Sequence, residues 1–265
     1  MSGLAICLLS GLALSSAAPL AAAAPSPAST PETTEVSIRR ELQLGTAIGG
    51  ALDLPPEATA GPPTADVVAA VSRMTVTVVN RNGGDVSTIH VNARGGPKPI
   101  SGNTKPGRME NGAQSMFVVG GGWSGNIAVN NARYSDTTGD ESLIEASFVK
   151  QFGKVQGDIN ISYVNGFSTA LVCWCNQNKI TVGCNKDLSA LHKCPNPNGQ
   201  GSCKNPHRAG PDTATEFFKP CHGYAGPYVY PNDNKANQLN AKCPKKQYTC
   251  CIGKACPANP ARRHW

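Results

Sequence analysis

The sequence predicts an all-β protein, an antiparallel sandwich or barrel that passes into a smaller region held by disulfides. Three observations predict it. From Met74 onward, short runs rich in Val, Ile and Thr alternate apolar with polar residues, the period of a half-buried strand. Gly, Asn or Pro separates the runs, and Asn82-Gly83, Asn111-Gly112 and Asn165-Gly166 are dipeptides that accept positive φ in tight reversals. Ten of the eleven cysteines fall between Cys173 and Cys256, where Asn, Lys, Pro and Gly replace most of the apolar residues.

The chain opens on an uncharged apolar run, LAICLLSGLALSSAAPLAAAA, whose small residues fit a signal-peptidase site at about Ala22 to Ala24. Residues 1–24 therefore read as a cleaved secretion signal, although no Lys or Arg precedes the apolar core. The run is short and Ala-rich for a membrane anchor, and no later segment has the apolar length to span a bilayer. Residues 25–72 are rich in Pro, Ala, Thr and Gly without a sustained apolar period, so they are predicted to be a disordered leader or pro-segment. Arg39-Arg40 within it is a possible dibasic processing site, or simply an exposed pair. About 190 residues remain, enough for one sizeable core.

The strand runs are MTVTVVN, VSTIHVN, QSMFVV, GNIAVNN, LIEASFV and DINISYV. In the last of them Ile159, Ile161 and Tyr163 share one face, while Asp158, Asn160 and Ser162 share the other. One face belongs to the core and leaves a polar face to explain. NKDLSALHKC is the one short helix candidate. Removing the signal takes Cys7 with it and leaves an even set of ten cysteines, which implies five disulfides and an oxidising compartment. Each bond contributes roughly 2–4 kcal/mol, so a lobe with little core becomes feasible. Cys173 and Cys175 share a face of any regular strand, so they tie that strand to two different neighbours. A zinc reading built on Cys173, Cys175, His192, His207 and His222 lacks the spacing of paired C-x-x-C knuckles. No metal or cofactor is expected.

The net charge of +7 comes from Lys and Arg that stand singly or in pairs. They form no basic stripe with interleaved aromatics, which argues against nucleic acid and for solubility and loose attraction to acidic surfaces. A monomer is the default expectation, since no heptad or apolar helix suggests otherwise.

SLIEASFVKQFGKVQGDINISYVNGF, the cysteine run after it and TEFFKPCHGYAGPYVY resemble the thaumatin-like proteins, specifically their divergent fungal branch with its yeast-phase-specific secreted proteins. The resemblance covers about Met74 to Cys251, and Phe217-Phe218-Lys219 followed by Cys221 is its most specific element. It implies a domain over 73–256: a β-sandwich at about 73–172 plus 243–251, a disulfide-rich lobe at about 173–242, and a cleft between them, leaving 257–265 as a tail. It also implies the bonds Cys175–Cys243, Cys184–Cys221 and Cys194–Cys203. Cys173, Cys250, Cys251 and Cys256 have no clear family counterpart, and Cys173 is expected to reach Cys250 or Cys251.

Many members of that family line the cleft with an arginine and four acids linked to β-1,3-glucan binding. Here Glu145 matches the glutamate, while Asn160 and Asn165 stand at two aspartate positions. The region of Gly223 stands at the last acid and roughly Asn126 at the arginine. The resemblance thus implies a neutralised cleft. Glycoside hydrolysis needs two carboxyls about 5 to 10 Å apart, and Asp158, two residues before Asn160, is the one available partner for Glu145. By default such an Asp is a solvated surface residue. Asn160-Ile161-Ser162 is an N-x-S sequon, so Asn160 is also a glycosylation candidate. Trp174, Tyr163, Tyr224, Tyr228 and Tyr230 are candidate sugar platforms, although Tyr163 is expected in the core by its face. The expectation is therefore a secreted, extracellular or wall-associated protein that binds polysaccharide without catalysis. The alternatives are a secreted protein that targets a foreign protein, and a weak β-1,3-glucanase.

Overall fold

The computed structural model describes residues 72–134, 137–151 and 153–262, so the expected signal over 1–24 and nearly all of the expected leader over 25–72 lie outside the described residues. The chain forms β1 (Arg73–Asn80), β2 (Val86–Asn92), β3 (Ser101–Gly102), β4 (Gly107–Met109), β5 (Gln114–Gly120), β6 (Trp123–Asn131), β7 (Ser142–Gln151) and β8 (Lys154–Ser162). There follow β9 (Gly166–Phe167), β10 (Leu171–Cys175), β11 (Thr181–Cys184), the single-turn helix α1 (Leu188–Leu191), β12 (Cys203–Lys204) and β13 (Gln247–Ile252). The helix is capped by Asp187, whose carboxylate accepts the Ala190 N–H at 3.2 Å.

Two sheets hold the core. One has six strands in the order β11-β10-β13-β1-β5-β3, and the other has five in the order β4-β2-β6-β7-β8. Met74, Val76 and Val78 of β1 alternate inward with half-buried Thr75, Thr77 and Val79, as their period of two requires. They pack with Phe117 and Val119 against Ile127, Val129, Ile144, Phe148, Ile159 and Ile161 of the other sheet. Gly83 and Gly112 adopt φ of 83° and 87°, the turn role read from Asn82-Gly83 and Asn111-Gly112. Gly166 serves a different purpose. A Cβ there would lie 2.3 Å from the Asp140 carbonyl oxygen and 2.6 Å from that of Cys203, so close backbone approach, rather than a reversed φ, demands glycine.

The C-terminal strand β13 returns to the middle of the six-stranded sheet, parallel to β1 and antiparallel to β10. Cys173 and Cys250 face each other across that pairing and are bonded. The other bonds are Cys175–Cys243, Cys184–Cys221, Cys194–Cys203 and Cys251–Cys256. Cys250 and Cys251 are consecutive in a strand and so point to opposite faces, one into the core and one to the outer side. Because β10 and β11 belong to the sheet, the passage to loops comes after Cys184 rather than at Cys173. Loops dominate from there to Lys246, laid along the free edge of β8: Tyr228 N–H donates to the Ile161 carbonyl at 2.8 Å and Ala241 N–H to that of Gly157 at 3.1 Å.

Candidate functional site: a polar row beneath a loop

The polar face of β8 lies on the outer side of the five-stranded sheet. Register aligns Val91 of β2, Asn126 of β6, Glu145 of β7 and Asn160 of β8 in one row. The two amides and the carboxylate are half-buried. Directly opposed side chains of this kind have Cβ atoms about 4.5–5.5 Å apart, so the row presents one acid between two amides. The Asn160 Oδ1 is enclosed and has no hydrogen-bond partner.

Asp158 is paired with Ser147, which sets it diagonally from Glu145, at Cα separations of about 7–8 Å in such sheets. It is not the solvated surface acid expected by default. The loop over β8 brings Asn237 onto it, and Asn237 Nδ2 donates to both carboxylate oxygens at 2.9 and 3.1 Å. Burial raises the Asp158 pKa, partly offset by the Asn237 bond and by the Ile159 N–H. Tyr228 completes the group. Its hydroxyl pKa is raised by burial and then by the nearby charge of Asp158, with smaller contributions from Glu145 and Asp233, while a bond from Asn237 opposes them.

A second polar cluster braces the same loop. His222 Nε2 lies 3.4 Å from Asp233 Oδ2 and 3.4 Å from the Tyr230 hydroxyl, and Asp233 is fully buried. Burial, with Asp233 next, raises the Tyr230 pKa.

The structure therefore brings Asn126, Glu145, Asn160, Asp158 and Tyr228 together, and it separates the other candidates from them. Asn165 falls beyond the end of β8, where its carbonyl accepts the Asn205 N–H at 3.0 Å. Gly223 has φ of 119°, a backbone that an acidic side chain would strain. Tyr163 is fully buried and its hydroxyl accepts the Leu171 N–H at 3.0 Å. Tyr224 is 47% exposed on the lobe. Trp174 lies on the outer face of the other sheet, packed on Val172, Cys251 and Cys256, so it is no part of this row. Among the described residues no cluster of His, Cys, Asp or Glu could hold a metal ion. Asn237 was invisible to sequence reasoning, because 79 residues separate it from Asp158 and nothing local aims it there.

Comparison with models of known protein families, and with curated proteins, finds no match to this chain.

Proposed function

We propose that this is a secreted protein of thaumatin-like build that holds a neutral polysaccharide of the β-1,3-glucan class over β7 and β8 without cleaving it. The observation that carries this reading is the row Asn126, Glu145, Asn160 beside Tyr228. Amides and a carboxylate supply the paired donors and acceptors that sugar hydroxyls need, and a half-buried tyrosine supplies an edge to pack on. Five disulfides accord with an oxidising compartment. The bonds Cys175–Cys243, Cys184–Cys221 and Cys194–Cys203 are also the pairs that the thaumatin-like resemblance implies. Among the described residues no helix is long and apolar enough to cross a membrane.

The test is retention of the mature protein on insoluble β-1,3-glucan, with chitin and cellulose as comparators. Retention on glucan that falls several-fold in an Asn126→Ala/Glu145→Ala variant supports the reading. Passage through all three columns would sink it and favour a protein target.

Weak hydrolysis is a second reading, favoured by one observation: Asp158 shares the face with Glu145 and has a raised pKa, as a general acid requires. Asn237 donates to both its oxygens and so favours the ionised over the protonated form, which is why binding ranks first. Release of reducing ends by the native protein, abolished by Glu145→Gln or Asp158→Asn, would reverse that ranking.

A further inference from the structure

We propose that one end of the six-stranded sheet is a second binding surface, for an acidic polysaccharide, built from Arg73, Lys179, Lys245, Lys246 and the indole of Trp174. It is independent of the row on β7 and β8, which lies on the other sheet. The six strands contain no Asp or Glu, and neither do residues 159–186 or 234–265. Cations that stand apart in the sequence are gathered by the fold. The β10–β11 turn and the segment before β13 are stapled by Cys175–Cys243. Asn178 Nδ2 donates to the Lys242 carbonyl at 2.6 Å and Asn176 N–H to that of Gln247 at 2.9 Å. The Thr75 N–H donates to the Lys246 carbonyl at 2.9 Å, which brings the start of β1 and its exposed Arg73 to the same end.

Two of these lysines are held in costly backbone. Lys179 has φ of 59° and Lys246 of 52°, the left-handed region in which glycine or asparagine is cheaper by on the order of 1 kcal/mol. Strain of this kind gathers where function requires a particular side chain. The salt bridges found among the described residues use Arg108, Arg208 and Lys219, and His222 faces Asp233; none of them involves Arg73, Lys179, Lys245 or Lys246. Next to it, Thr181, Trp174, Thr249, Thr77 and Met116 form a row across five strands, about 19 Å at the usual strand spacing. The row is uncharged, and three of its five side chains are threonines. Trp174 is half-exposed and its pose is fixed by the Cys251–Cys256 bond beneath it.

Cations for carboxylates, hydroxyls for hydroxyls and one fixed aromatic face for a sugar ring together match a uronate-bearing polymer. A membrane surface would need a larger apolar face to insert. Duplex DNA would be held by the same charges, so it enters the test as a competitor.

The experiment measures binding of the mature protein to polygalacturonate, with a neutral dextran, phosphatidylserine vesicles and duplex DNA as comparators. Expected are selective, salt-sensitive binding to polygalacturonate, a loss of tenfold or more in Lys179→Asn/Lys246→Asn, and an unlowered melting temperature, because asparagine tolerates that backbone. Lys245→Gln, on an exposed side chain, repeats the test without touching a strained position, and Trp174→Phe should weaken binding at unchanged salt dependence. The Asn126→Ala/Glu145→Ala variant should bind polygalacturonate as the native protein does, which separates this proposal from the fate of the glucan reading. No binding to polygalacturonate, tighter binding to vesicles or DNA, or native affinity in both lysine variants would overturn it.

Discussion

His90 shows how a single residue couples this fold to pH. Its imidazole lies edge-on to Phe117, with ring centroids 5.6 Å apart and planes at 80°, and lines a cavity of about 40 Å³ with Lys105 and Arg108 among its walls. Burial pulls its pKa down from 6.5 to about 4. Below pH 6.5 the unfolded chain therefore binds a proton that the native state refuses. Stability should be lost as pH falls from about 6.5 to 4, by at most on the order of 3 kcal/mol. Asp158 acts in the opposite sense. Its raised pKa means that the native state carries a buried charge above that pKa and is relieved on acidification. The test that isolates His90 is urea unfolding at pH 7 and pH 4 for the native protein and for His90→Phe. The variant should lose less stability between the two pH values, and an equal loss would remove His90 from the account.

At the scale of elements, β8 carries the main structural bargain. Gly157 faces Phe148 across the pairing, and a Cβ on it would lie 2.7 Å from the Tyr248 Oη and 3.1 Å from the Met74 Sδ. The missing side chain lets Tyr248 cross from β13 and donate to the Gly157 carbonyl at 3.0 Å. Gly157→Ala should destabilise by about 1–3 kcal/mol through overpacking, and Tyr248→Phe in the same chain should recover part of that loss. Additive costs in a double-mutant cycle would show that the two positions do not compete for one space. The strand itself was legible in the sequence, because Ile159, Ile161 and Tyr163 against Asp158, Asn160 and Ser162 mark its two faces without reference to any neighbour. Its cover was not. Local pattern encodes which way a side chain points, whereas Tyr228 and Asn237 reach β8 by loops whose path is set by the Cys184–Cys221 bond and the fit of distant segments. The same distinction explains Trp174, which alternation places on the face opposite to Cys173 and Cys175, but which only the sheet order assigns to the far side of the sandwich.

For the whole molecule, the cysteines do unequal work. Cys173–Cys250 joins neighbouring strands at the centre of the core, both residues fully buried, and spans a sequence separation of 77. Cys194–Cys203 spans 9, and Cys194 is half-exposed at the edge of the lobe. Cross-linking a chain restricts its unfolded ensemble more when the loop is longer, so in isolation the first bond contributes about 4.5 kcal/mol and the second about 2.7 kcal/mol. The core bond adds a packing effect, because its removal leaves a gap between β10 and β13 beside Tyr248 and Leu171. Cys194→Ala/Cys203→Ala should therefore fold and lower the denaturant midpoint modestly, with near-ultraviolet circular dichroism of the sandwich retained. Cys173→Ala/Cys250→Ala should lower the midpoint further or prevent folding. In the native protein, mild reductant should expose the Cys194 and Cys203 thiols first, as read by alkylation and peptide mass, with the other eight cysteines protected until the sandwich opens. Simultaneous exposure of all ten would mean that the lobe and the sandwich open as one unit, and equal midpoints for the two double variants would show that neither loop length nor core position governs the stabilisation.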